Sequence, residues 1–159
     1  MFTIREAVKE DAPVIHQLIR DLAEYEKEPE SAKATVEDIL RDGFGPKPLF
    51  ECLMAEVDGE AAGFAIFYFK WSTWTGSSCL HLEDLFVKPV HRGKKIGYSL
   101  LKRLAQIAVA RNCDRFEWDV LDWNMLARDF YHSLGAKAKD GWLAYRMDGQ
   151  TLRDFGAPD

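Results

Sequence analysis

The chain has no apolar run long enough to cross a bilayer: its longest, GFAIFYF at Gly63–Phe69, is a fraction of the ~20 residues such a span needs. Met1 leads directly into an alternating strand pattern, with no positively charged leader and no apolar signal segment, so a cytoplasmic protein with no membrane partner is expected. Cysteine is sparse. Cys52, Cys79 and Cys113 are odd in number and widely spaced, with no CxxC and no neighbouring histidine pair, which argues against a disulfide framework and against a metal site. They read as small buried apolar residues. There is no internal repeat, no low-complexity tract and no linker. With 159 residues, 47% of them apolar and 30% charged, the chain is expected to form a single domain over 1–159 with one core.

Broad basicity is also missing. The net charge is −5, yet VHRGKKIGYSLLKRL, Val90–Leu104, gathers Arg92, Lys94, Lys95, Lys102 and Arg103, so the rest of the chain is more acidic than the total suggests. One local anion site on an acidic body does not suit nucleic acid, which needs cations spread along a surface.

What is present is a readable order of elements. Phe2–Ala7 alternates as a strand. Asp11 stands as an N-cap with Pro13 in the first turn, and Val14, Ile15, Leu18, Ile19, Leu22 and Tyr25 recur at helical spacing. Thr35 opens a short second helix that reaches Gly43. ECLMAEV and AAGFAIFYFKW flank Asp58-Gly59, a hairpin dipeptide, and CLHLEDLFV is a further strand. After the basic loop, Ile96, Leu100, Leu101, Leu104, Ile107 and Ala108 mark a helix ending near Asn112. DRFEWDVL is a strand, Asn124–Leu134 a helix closed by Gly135, and WLAYRM a last strand before a short polar tail. The order βααβββαβαβ predicts an α/β fold, one mixed sheet with helices on its faces. Trp71, Trp74, Trp123 and Trp142 read as core or loop anchors, and His132 as a surface residue.

Strand, glycine-bearing turn, then helix is an arrangement that aims several backbone N–H groups at one anion, with the helix dipole adding to the field. Arg92, Lys94 and Lys95 supply charge, and Gly93 and Gly97 permit close approach or positive φ. The same residues would also suit a polar loop ahead of an ordinary surface helix. The loop is neither a Walker A sequence nor GxGxxG.

The run LEDLFVKPVHRGKKIG resembles the coenzyme A loop of the GNAT acetyltransferases, whose pattern is Arg or Gln, two residues, Gly, one residue, then Gly or Ala. Arg92 and Gly97 match its ends, and Lys95 stands where the middle glycine is usual. AEYEKEPE, RDGFGPKPLFECLMAE, GFAIFYF, HLEDLFV, WNMLARDFYHSLGA and GW, in that order, are similar to the spermidine/spermine branch of that family, which includes thialysine acetyltransferases.

The resemblance implies a GNAT fold, a mostly antiparallel mixed sheet, acting without metal. It implies direct acetyl transfer from acetyl-CoA to a primary amine of a small cationic partner such as a polyamine, diamine, thialysine or lysine-like compound. Two catalytic residues follow from it: Tyr131 to protonate the leaving thiolate, and Glu83 beside the amine. It implies that the main chain of Leu85, Phe86 and Val87 pairs with the pantetheine arm. Arg92, Gly93, Lys94, Lys95, Ile96, Gly97 and Tyr98 would hold the phosphates, with Asn124 and Ala127 lining the coenzyme's other side. Tyr25, Glu26, Glu117, Trp118, Asp119 and Asp140 would line the amine site, and the active species would be a homodimer. Read singly, each acid suits a solvated surface and Tyr131 a helix core. Strand alternation would send Glu83 and Asp84 to opposite faces, so that only one enters the cleft. Acetylation of a protein amine, or a CoA-binding module without catalysis, are the alternatives.

Overall fold

A computed structural model describes residues 1–159, and its backbone divides into two compact units, Met1–Asp119 and Val120–Asp159. The first holds five strands, β1 (Phe2–Glu6), β2 (Glu51–Val57), β3 (Glu60–Ser72), β4 (Ser77–Val87) and β5 (Arg115–Trp118), and three α-helices, α1 (Ala12–Tyr25), α2 (Val36–Phe44) and α3 (Ile96–Ala110). The strands lie in the order β1-β2-β3-β4-β5. The first three pairings are antiparallel and β4–β5 is parallel, so the sheet is mixed as expected. A parallel neighbour requires a crossover, and α3 supplies it.

Alternation along the strands divides the core. Cys52, Met54, Phe64, Ile66 and Phe86 face Ala12, Ile15, Leu18 and Leu22 of α1 and Ile39 of α2. The opposite parity, Leu53, Ala55, Ala65, Phe67, Leu80 and Leu82, meets the buried stripe Ile96, Leu100, Leu101, Leu104 and Ala108 of α3. Each fully buried leucine or isoleucine contributes roughly 1.5–3 kcal/mol, which makes this sandwich the main source of stability.

Local signals account for most boundaries. Thr35 accepts a hydrogen bond from the Asp38 N–H at 3.1 Å while the Asp38 carboxylate accepts from the Thr35 N–H at 2.9 Å, a complete capping box. Asp58 and Gly59 take φ of 52° and 83° in the β2–β3 turn. Asp11 occupies the cap position of α1, but its carboxylate accepts from Arg5 at 2.7 and 2.9 Å and from the Val8 N–H at 2.8 Å, so it ties β1 to the helix start instead of capping. The Arg5 guanidinium holds the Asp11 carboxyl below the usual range.

The second unit contains α4 (Met125–Ser133) and α5 (Gly149–Phe155), and none of its residues is buried. The strand expected over WLAYRM is absent: the stretch pairs with no strand, and Leu143 and Tyr145 are 82% and 92% exposed. Alternation marks a strand only where a neighbour completes the ladder. The polar tail instead winds into α5, where Gln150 donates to Asp154 at 2.6 Å across one turn. Of the two places expected for Trp71, Trp74, Trp123 and Trp142, core or loop anchor, the core is ruled out, since all four are exposed. Cys52 and Cys79 are buried as expected, Cys113 only partly, and all three are free thiols.

Candidate active site

β4 carries the site because its two ends have different neighbours. β5 pairs with it only from Cys79 to Leu82, ending at Trp118, whereas β4 runs on to Val87. From Glu83 to Val87 its one strand neighbour is β3, and apart from the Val87 carbonyl, which accepts from Arg92 Nε at 3.1 Å, this outer edge is free for an extended ligand arm. Leu85, Phe86 and Val87 lie there.

Glu83 stands at an irregularity in the ladder. Ile66 pairs with Asp84 and Phe67 with Leu82, which leaves Glu83 unopposed, a β-bulge. The extra residue overturns the expectation of opposite faces. Ile66 and Tyr68 share a face, and their partners Asp84 and His81, three positions apart, therefore share it too. The Glu83 carboxylate reaches to 3.8 Å from His81 Nε2 on that face.

Three acids meet around the bulge. Burial pushes the Asp84 carboxyl up to about 6, and the charges of Glu83 and Glu26 add to the shift. Burial also raises the Glu26 carboxyl. Glu26 follows Tyr25, the last residue of α1, so the helix C-terminus delivers one acid and the bulge two. Sequence reasoning missed Asp84. The signal was present, in the adjacent pair Glu83-Asp84, but a bulge leaves no local mark. Of the acids expected on β5, Glu117 is already engaged, 3.5 Å from Lys70 Nζ and 3.5 Å from Cys79 Sγ. The Trp118 ring centroid lies 4.8 Å from that of Phe116 with the planes tilted by 56°, and the charge of Asp119 acts on the Tyr68 hydroxyl. Burial, with Glu117 beside it, pushes the Cys79 thiol up to about 11, so it supplies no thiolate nucleophile at neutral pH and agrees with direct transfer.

Past Val87 the chain turns through Pro89–His91 into α3. Lys95, at the position where the family pattern has glycine, takes φ 63° and ψ 15°, and Gly93 takes φ 78°. Lys95 thus adopts a left-handed geometry that favours glycine, at a cost of roughly 1–2 kcal/mol for a residue bearing a Cβ. No side chain caps α3, and the first N–H groups of a helix have no intrahelical acceptor. Ile96 is buried in the core, while Lys94, Lys95 and Tyr98 are exposed. Unused amides, a helix dipole and two lysines at one helix start form a donor set that fits a diphosphate such as that of coenzyme A.

In the second unit, Asn124 caps α4 by accepting from the Ala127 N–H at 3.2 Å. Tyr131 lies on α4 with its ring 5.8 Å from that of Phe130, His132 is exposed, and Asp140 is exposed beyond the helix.

A mixed sheet with one strand extended past its parallel neighbour, an uncapped helix start beyond it and carboxylates at the bulge define an acyl-CoA-type amine transferase. The acetyltransferase (GNAT) family model matches residues 13–136, and the chain belongs to that family. It is an acetyl-CoA-dependent amine N-acetyltransferase. It is 41% identical over 163 residues to the thialysine N-epsilon-acetyltransferase of Sus scrofa, covering 96% of this chain and 95% of the relative. It is 39% identical over 164 residues to spermidine/spermine N(1)-acetyltransferase-like protein 1 of Homo sapiens, covering 97% of this chain and 24% of that longer protein. An integron cassette protein from V. cholerae superposes with a TM-score of 0.84 at 27% identity, covering 99% of this chain and 98% of its own.

Proposed function

We propose that this enzyme acetylates one amine of a small substrate bearing at least two cationic nitrogens, such as a thialysine-like or lysine-like amino acid, a diamine or a polyamine. The observation that carries this reading is the grouping of Glu26, Glu83 and Asp84 at the bulge, more negative charge than one ammonium requires. The thialysine acetyltransferase names of similar chains point the same way. Glu83 holds the reacting ammonium and accepts its proton, directly or through water, since an alkylamine with a reference pKa of about 10.4 must be deprotonated before it attacks. Glu26 and Asp84, with Tyr25, Glu117, Trp118, Asp119 and Asp140, form the cationic substrate's surroundings.

Acetyl-CoA supplies the activated thioester. The amides from Gly93 to Tyr98 and the side chains of Lys94 and Lys95 hold its phosphates, the open edge of Leu85–Val87 pairs with its arm, and Asn124 and Ala127 line it. Tyr131 donates the proton that the departing thiolate requires. The active form in this reading is a cytoplasmic homodimer. Three free thiols suit a reducing compartment, and Leu126, Leu143, Tyr145 and Phe155, each at least 79% exposed, offer the apolar surface a second copy would cover.

The test is acetyl-CoA turnover against diamines, polyamines, lysine analogues, matched monoamines and peptides. Preference for a small diamine-like class supports the reading. Equal use of monoamines, or turnover confined to peptides, ends it.

A further inference from the structure

Arg92 does not point its charge simply toward an incoming phosphate. Its guanidinium carbon lies 4.5 Å from the centroid of the Tyr25 ring and 5.7 Å from that of Phe86, and its Nε donates to the Val87 carbonyl at 3.1 Å. The Tyr25 and Phe86 rings themselves stand 6.4 Å apart. One side chain thus joins the end of α1, the tail of β4 and the loop ahead of α3. Tyr25 is followed directly by Glu26, a member of the acid group, while Arg92 is followed by Gly93 and Lys95, the left-handed residues that shape the anion loop. The terminal nitrogens of Arg92 make no protein hydrogen bond and remain available to a ligand.

We infer that Arg92 stacked on Tyr25 is a positioning pair that couples coenzyme binding to amine binding. An anion that fixes the loop fixes Arg92, and through the ring it fixes the end of α1 and the direction of Glu26. By linkage the effect is reciprocal, so an amine that orders Glu26 tightens the coenzyme by the same factor. This rests on the proposed placement of the coenzyme at the start of α3.

The experiment is calorimetric titration with coenzyme A, using the full chain with Tyr25→Phe, Tyr25→Leu, Arg92→Lys and the double variant Tyr25→Leu/Arg92→Lys. A guanidinium–aromatic contact of this kind supports a loss of about 3- to 10-fold in coenzyme affinity for Tyr25→Leu, although Tyr25 is assigned to the amine side. Tyr25→Phe keeps the ring and stays within about twofold of wild type. Arg92→Lys retains charge but loses the planar stack and the Nε bond, and it weakens coenzyme binding by a similar factor. The double variant is no weaker than the worse single, because both changes break one contact. Folded Tyr25→Leu protein with wild-type coenzyme affinity, or losses that multiply in the double variant, overturns the coupling. Should Tyr25→Leu fail to fold, Tyr25→Met answers the same question. Wild-type protein that binds no coenzyme A removes the loop assignment and the coupling with it, whereas wild-type binding with an unaffected Tyr25→Leu removes the coupling alone.

Discussion

The two ends of the β4 tail use opposite materials. At the start of α3 the groups proposed to bind are backbone amides on an exposed, positively charged turn that contains two left-handed residues. At the bulge the groups proposed to bind are side-chain carboxylates, Asp84 and Glu26 partly buried and Glu83 exposed, brought together from α1 and β4. An anion site made of main chain depends on conformation and tolerates a lysine where glycine is customary. A cation site made of side chains depends on register, and a single inserted residue decides which acids it contains.

The sharpest way to break the carboxylate end is Glu83→Gln. Turnover is expected to fall by about 10²- to 10⁴-fold, the usual contribution of one acid–base group, with coenzyme affinity unchanged in titration. Tyr131→Phe is expected to lower the catalytic constant on the same scale, measured where chemistry limits the rate, without raising the amine Michaelis constant. A wild-type rate in either protein would remove that residue from the chemistry.

Next in size is the linkage at Asp84. Its folded carboxyl titrates near 6 against an ordinary 3.8, so the folded state binds the proton more tightly than the unfolded chain does. Stability from this group is therefore full below about pH 4 and is lost as pH rises to and through about 6. Asp84→Asn removes the titration. Its stability advantage over wild type should grow by about 3 kcal/mol between pH 4 and 8, read from denaturant unfolding, the two-unit shift at 1.36 kcal/mol per unit. An advantage that does not change with pH would place Asp84 in water.

A smaller effect probes the amide end. Beyond its chain neighbours and the backbone of its own helix, a Cβ at Gly97 would meet nothing closer than Val87 Cγ2 at 3.9 Å, so packing does not require glycine there. Gly97→Ala should stabilise α3 by up to about 1 kcal/mol in helix propensity and at the same time weaken coenzyme A binding, because the added methyl stands where the ligand approaches. A more stable protein with undiminished coenzyme affinity would show that no ligand comes close to this turn. Smallest of all, Glu26→Gln should raise the Michaelis constant for a diamine by a few fold, and added salt should shrink the difference, since partly exposed charges lose reach beyond about 8 Å at physiological ionic strength.

Much of the first unit was legible from residue order. Thr35 with Asp38, Asp58-Gly59, and the spacing of Ile96, Leu100 and Leu104 are local devices whose outcome depends on a few neighbouring residues. The basic turn before α3 was legible for the same reason, since an uncapped helix start is a property of consecutive residues. Arg92 was legible as a cation but not as a stacked one, because Tyr25 lies far from it along the chain. In the second unit, WLAYRM carried a strand pattern that found no partner, and the tail after Asp148 carried a helix that its polarity obscured.

By itself, then, the sequence determined the elements of the sheet sandwich, the basic glycine-bearing turn and membership of an acetyl-transferring family, since periodicity, caps and motif residues act within a turn or two of chain. Only the tertiary structure decided that Glu83 and Asp84 share a face, that Glu26 joins them and that Arg92 rests on Tyr25. Those facts follow from how β4 is paired against β3 and where α1 ends over the sheet, and strand register is a relation between distant segments that neither segment encodes alone.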